Sequence, residues 1–124
     1  MAAGPAATEG AEMPDIVLVY TTWPDAETAE AAAAEAVAER LAACANIHQP
    51  MESIYHWKGA VERSGEIPVL FKTSADTAPA LRDYLVARHP YETPCVVALP
   101  IDAALSSDGF LIWVAQESPG RQAD

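Results

Sequence analysis

An α+β domain is what the sequence predicts, and three observations predict it. Ile16-Val-Leu-Val-Tyr-Thr-Thr22 is a continuous, β-branched apolar run of strand length. An alanine-rich stretch of high helix propensity follows over 26–43. Residues 45–74 then read as two extended segments around Lys58-Gly59, the pattern of a long β-hairpin.

Taken in order, the first run has the character of a strand buried on both faces. Trp23-Pro24-Asp25 ends it, with Asp25 placed as an N-cap and Glu27 in the first turn, where a carboxylate favours the helix dipole. Within 26–43, Ala29, Ala33, Ala36, Val37 and Leu41 share one face, and Cys44 lies just past its end. An alanine stripe lets a helix approach a sheet closely but buries little area. In the hairpin, Pro50 and Pro68 mark bulges or sheet edges. Asp76 is expected to cap a second helix with Pro79 in its first turn. Leu81, Tyr84, Leu85 and Arg88 keep helical spacing, and Pro90 stops the helix by restricting His89. Cys95-Val-Val-Ala-Leu-Pro-Ile101 reads as the last strand and 102–106 as a loop. Ser107 or Asp108 then opens a short helix carrying Phe110, Leu111, Trp113 and Val114. The order β-α-β-β-α-β matches the ferredoxin-like split βαβ arrangement, an antiparallel sheet with two helices on one face, with a C-terminal helix added. Residues 1–14 are expected to be a disordered tail, 15–118 a single domain and 119–124 a frayed end.

Composition narrows the function. The chain has 124 residues, enough for one domain. Its formal net charge of −11 repels phosphate backbones and anionic lipid surfaces, so neither nucleic acid nor a membrane is an expected partner. The start carries neither a basic region nor an apolar one, unlike a signal peptide. Cys44 and Cys95 are too few for a disulfide scaffold, and reduced thiols in a cytoplasm are the economical expectation. The sequence holds no GxGxxG loop, P-loop, CxxC pair, GxSxG elbow or HExxH motif, and no enzyme is expected.

Several segments, in order, give the chain a family likeness. They are Tyr20-Thr-Thr-Trp-Pro-Asp25, Arg40-Leu-Ala-Ala-Cys-Ala-Asn-Ile47, Ser53-Ile-Tyr-His-Trp-Lys-Gly59, Phe71-Lys-Thr-Ser74, His89-Pro-Tyr-Glu-Thr-Pro94, Ala98-Leu-Pro-Ile101 and Phe110-Leu-Ile-Trp113. Over about residues 15–118 the chain resembles the CutA family of divalent-cation tolerance proteins. That resemblance implies a tight homotrimer of ferredoxin-like subunits and a role connected with divalent metals, copper above all. It also implies a trimer architecture similar to that of PII-type signalling proteins, which bind small ligands between subunits. One departure stands out: Cys95 follows the His-Pro-Tyr-Glu-x-Pro string where the family usually has Glu. Tyr20 stands where some relatives have Cys.

Two groups of residues are candidates for chemistry. Cys44, His89 and Cys95 are metal candidates, because thiolate and imidazole suit copper. Against this, a free cysteine also packs as a small hydrophobe, and a helix-terminal histidine can bond the last free carbonyls. Lys72, Tyr91, Glu92 and Trp57 occupy motif positions that border the intersubunit cleft in the resembling family. Lys72, on an otherwise apolar strand, needs a partner, which Glu92 or Glu66 would supply. It either fixes a subunit contact or holds a small anionic ligand beside an aromatic wall. Tyr55, His56, Trp57 and Trp113 have the character of oligomer anchors.

Overall fold

The structure, a computed structural model, describes residues 13–121. Its elements are β1 (Ile16–Trp23), α1 (Ala26–Ala38), β2 (Cys44–Ile47), β3 (Met51–Trp57), β4 (Ala60–Ser74), α2 (Ala78–Arg88), β5 (Val96–Pro100) and α3 (Asp108–Glu117), with a 3₁₀ turn at Ala103–Leu105. The sheet runs β2-β4-β1-β5, with β3 paired to the outer part of β4, and every pairing is antiparallel. Mixed α+β architecture around an antiparallel sheet is therefore the fold class.

The pleat divides the sheet into two faces. Val19, Val69 and Phe71 point to the face covered by α1 and α2, where Ala29, Ala32, Ala33, Ala36, Leu81 and Leu85 complete a buried core. The alanine stripe does what its composition suggests. It brings α1 close to the sheet, and the bulk is supplied by Trp23, Phe71 and the leucines of α2. The opposite face carries two cross-strand rows, Cys44-Lys72-Leu18-Leu99 and Asn46-Leu70-Tyr20-Val97. Helix α3 packs beside one end of the sheet, where Leu111 and Val114 cover Ile16 and Ala43. Val97 and Leu99 are left about half exposed.

Two local expectations change. Helix α1 stops at Ala38 instead of running to 43. Arg40 adopts φ 60°, and the backbone N–H groups of Leu41 and Ala42 both turn back to the Ala36 carbonyl. This left-handed turn, unusual for a side chain with a Cβ, buries Leu41 and Ala42. It also aligns Ala43 N–H with the Lys72 carbonyl to start β2. Cys44 thus opens a strand rather than ending a helix face. In α2, Thr77 rather than Asp76 is the N-cap residue, and it makes no side-chain capping bond. Its hydroxyl instead donates to the Ser118 carbonyl at 2.7 Å.

Most of the expected tail, 1–12, lies outside the described residues, as does 122–124. Met13 packs against the α3 cluster. Residues 120 and 121 are tied down rather than frayed: Gly120 N–H donates to the Arg40 carbonyl, and Arg121 pairs with Glu39 at 2.6 Å. Among the described residues, no helix is long and apolar enough to cross a membrane.

Candidate functional site

His89 ends α2, where Pro90 forces the backbone out of the helix. Its ring is buried and stacks on Trp23 with centroids 4.3 Å apart. Nε2 lies 2.6 Å from the Thr22 carbonyl oxygen, which can only accept, so the ring N–H donates there. Nδ1 accepts from Tyr91 N–H at 3.1 Å. Both nitrogens are spent on the chain itself. His89 locks the loop that comes after it against the end of β1 and leaves no lone pair for a metal.

That loop forms one wall of a cleft of about 440 Å³. Tyr91, Glu92, Thr93 and Cys95 come from the loop, and Thr22 from β1. The hairpin supplies the other wall with Tyr55, Trp57, Ser64 and Glu66. Register explains this grouping. Met51 pairs with Glu66, Ser53 with Ser64, Tyr55 with Glu62 and Trp57 with Ala60, so these residues share one face of the hairpin. Arg63 alternates to the other face, where it pairs with Glu52 at 2.6 Å. Sorting by the pleat leaves no basic side chain in the cleft lining.

Glu66 is the buried carboxylate of the cleft. Its side chain is buried, and no basic side chain pairs with it among the described residues. Burial first, and then the Glu66 charge, pushes the Tyr91 hydroxyl above its usual range. Burial also raises the Cys95 thiol, with Glu66 adding to the effect and a hydrogen bond with Thr22 opposing it. Tyr20 is raised by burial, then by Cys95 and Glu66. Burial is the first cause of all three shifts, and Glu66 adds to each.

The predicted cleft residues therefore divide. Trp57, Tyr91 and Glu92 meet; Lys72 does not join them. Lys72 Nζ donates to Asn46 Oδ1 at 2.8 Å and lies 5.5 Å from the Phe110 ring centroid, so its partners are a neutral amide and a ring rather than Glu66 or Glu92. Among the predicted metal candidates, Cys95 lines the cleft. Cys44, half-buried at the β2 edge, has its thiol raised by burial and partly lowered again by the Lys72 charge. Three strand spacings and four residues of register separate the two thiols, about 19 Å at ordinary sheet dimensions. Cys44, His89 and Cys95 do not form a closed site within one chain, and no cluster of three His, Cys, Asp or Glu able to hold a metal occurs among the described residues. The sequence did carry one signal that pointed to Glu66. A carboxylate directly before the apolar run Ile67-Pro-Val-Leu-Phe71 lies next to core-forming residues, which makes it a candidate for burial.

Comparison with known proteins places this geometry in a family. A family model described as "CutA1 divalent ion tolerance protein" matches residues 17–117. The chain is 38% identical over 102 residues to a protein named "Divalent-cation tolerance protein CutA" from Salmonella newport, covering 82% of this chain and 87% of the relative. Among solved structures it is similar to CutA1 from the psychrotrophic bacterium Shewanella sp. SIB1, with a TM-score of 0.81, 36% identity, and 88% and 100% of the two chains covered. It is also similar to a divalent cation tolerance protein from Thermus thermophilus, with a TM-score of 0.79, 39% identity, and 83% and 98% covered. With the family model spanning nearly all of the described chain, and relatives this similar in both sequence and fold, the chain belongs to the CutA1 divalent ion tolerance family.

Proposed function

We propose that this chain acts in divalent-metal tolerance, copper above all, as a cytoplasmic homotrimer of ferredoxin-like protomers that binds metal weakly at its thiols and catalyses no reaction. The observation that carries this reading is the family match over residues 17–117. Two free, half-buried thiols, with no cluster of three metal-ligating side chains among the described residues, support weak cargo binding over a resident cofactor. The half-exposed apolar sheet face at Val97 and Leu99 supports assembly, because such surface is stabilised by burial against another copy.

Both thiols are raised above the usual cysteine range by burial. A metal must therefore displace a proton from each, and affinity is weaker at neutral pH than at an ordinary cysteine. Below the thiol pKa, apparent affinity rises with pH by about tenfold per unit for each thiolate formed. The test is titration with Cu(I) and Cu(II) across pH, repeated on Cys44→Ser, Cys95→Ser and His89→Ala. Weakened binding in at least one cysteine variant, with the pH slope flattened, is expected. Affinity unchanged in all three variants overturns the reading.

The cleft favours a second reading, a small-molecule-sensing module of the PII-like kind that uses the cleft between subunits and has no direct metal role. Trp57, Tyr91 and Glu92 converge on a cavity large enough for a small organic ligand. A thermal-shift screen of small metabolites checks it, since a ligand of the native state raises the unfolding midpoint.

A further inference from the structure

If the cleft takes a small molecule, as the second reading holds, its charge and its walls define the ligand class. Resting on that reading, we propose that the cleft binds a small organic ammonium ion, an alkyl amine or diamine carrying N–H donors. Within one protomer an anion is disfavoured, because Lys72, the cation expected to hold one, is bound to Asn46 and absent from the described lining. The lining carries Glu66 and Glu92 and no basic group. Glu66 is 9% exposed and lacks an ion-pair partner among the described residues. A carboxylate so placed is strongly stabilised by a cation brought to it.

The walls identify which cation. Tyr55, Trp57 and Tyr91 border the cavity with partly exposed rings, and aromatic faces attract ammonium ions. Trp57 already does so within the chain: Lys58 Nζ lies 5.7 Å from its ring centroid. A bare metal ion fits poorly, because no three-donor cluster occurs among the described residues and about 440 Å³ exceeds the need of a single ion. A quaternary ammonium would satisfy the aromatic rings but bring the Glu66 and Glu92 oxygens no donor beyond the Tyr91 hydroxyl that already bonds to Glu66. N–H groups satisfy both, so primary and secondary amines are the better ligands. Two carboxylates in one cleft favour a diamine over a monoamine.

The test is calorimetric titration of the full-length protein, in its native assembly, with 1,4-diaminobutane, butylamine, tetramethylammonium and succinate at low salt. Binding is expected in the order diamine, monoamine, quaternary ion, with none for succinate. Glu66→Gln preserves shape and removes the charge. It is expected to weaken diamine binding by roughly tenfold or more, the size of a lost charge-assisted hydrogen bond, at an unchanged unfolding midpoint. Should that variant misfold, Glu92→Gln and Tyr55→Leu, both at partly exposed positions, carry the same expectation of weakened binding. If succinate binds and the amines do not, the ammonium proposal falls while the small-molecule reading stands. If none of the four binds, the ammonium proposal falls, and the thermal-shift screen of small metabolites decides the small-molecule reading separately. Diamine affinity unchanged in a folded Glu66→Gln, or unchanged in both substitute variants, also overturns the proposal.

Discussion

Strand β4 runs through two environments. Residues 67–74 lie in the body of the sheet, where β1 flanks them and β2 flanks 69–72, and Val69, Phe71 and Thr73 are fully buried. Residues 60–65 pair with β3 alone, and Val61 is 63% exposed. One continuous strand is thus core at one end and an arm at the other. Glu66 sits at the junction, pairing with Met51 of the arm and followed by Ile67, which pairs with Trp23 of the body. The body supplies rigidity through packing. The arm, free of that demand, can present aromatic and acidic side chains to a cavity. A buried carboxylate is tolerated at the boundary because it lines the cleft and accepts a hydrogen bond from the Tyr91 hydroxyl.

The largest expected effect tests the body. Phe71→Ala should destabilise the fold by about 3–5 kcal/mol in chemical denaturation, the usual consequence of emptying a packed aromatic site. Val61→Ala in the arm should change stability by no more than about 0.5 kcal/mol. A larger loss at Val61 that depends on protein concentration would mean that a neighbouring copy covers the arm, and the contrast would then hold only for the isolated protomer.

His89 ties the body to the loop that faces the arm across the cleft, and its loss should come next in size. His89→Ala removes the stack on Trp23 and strands the Thr22 carbonyl. A cost of about 1–3 kcal/mol is expected for the unpaired carbonyl alone. Release of the loop carrying Tyr91 and Glu92 should also weaken any cleft ligand. Full stability together with full ligand binding in this variant would show that the body does not position the cleft.

The smallest effect belongs to the helix surface of the body. Arg88 Nη2 lies 2.7 Å from Glu35 Oε1, and its guanidinium carbon is 4.1 Å from the Tyr84 ring centroid. Burial, and then Glu35, pushes the Tyr84 hydroxyl up to about 12. Hydrogen bonding from Arg88 lowers the Glu35 carboxyl to about 2. A depressed carboxyl contributes stability above its unfolded value and loses it as pH falls through the folded one. The contribution should therefore fade between about pH 4.5 and 2. Arg88→Ala should lower neutral stability only slightly, as befits an exposed pair, and flatten that part of the acid-unfolding curve, so that the difference from the parent vanishes by about pH 2. An acid curve identical to the parent's would remove the pair from the account.

Much of the fold was legible in the residues alone. The β-branched run at 16–22, Asp25 as a helix cap, the turn at Lys58-Gly59 and the stop at Pro90 act through neighbours in sequence, so residue type decides them. The Asp25 carboxylate accepts from Thr28 N–H at 2.8 Å, as its position implied. The end of α1 was not legible, because Arg40 takes a left-handed conformation only to align Ala43 with β4. The metal trio illustrates the same limit. Cys44, His89 and Cys95 are suitable in chemistry, yet strand order puts the thiols at opposite edges and the core claims both imidazole nitrogens.

The sequence by itself determined the order of elements, the acidic surface and the family motifs, since these rest on local periodicity, composition and adjacent residues. Only the tertiary structure decided which chemical groups meet. It sent Lys72 to Asn46, buried Glu66 without a basic partner, and brought Trp57, Tyr91, Glu92 and Cys95 to one cavity. The physical reason is register. A strand alternates its side chains every residue, so pairing partners from distant parts of the chain determine which groups share a face and which are separated by the width of the sheet.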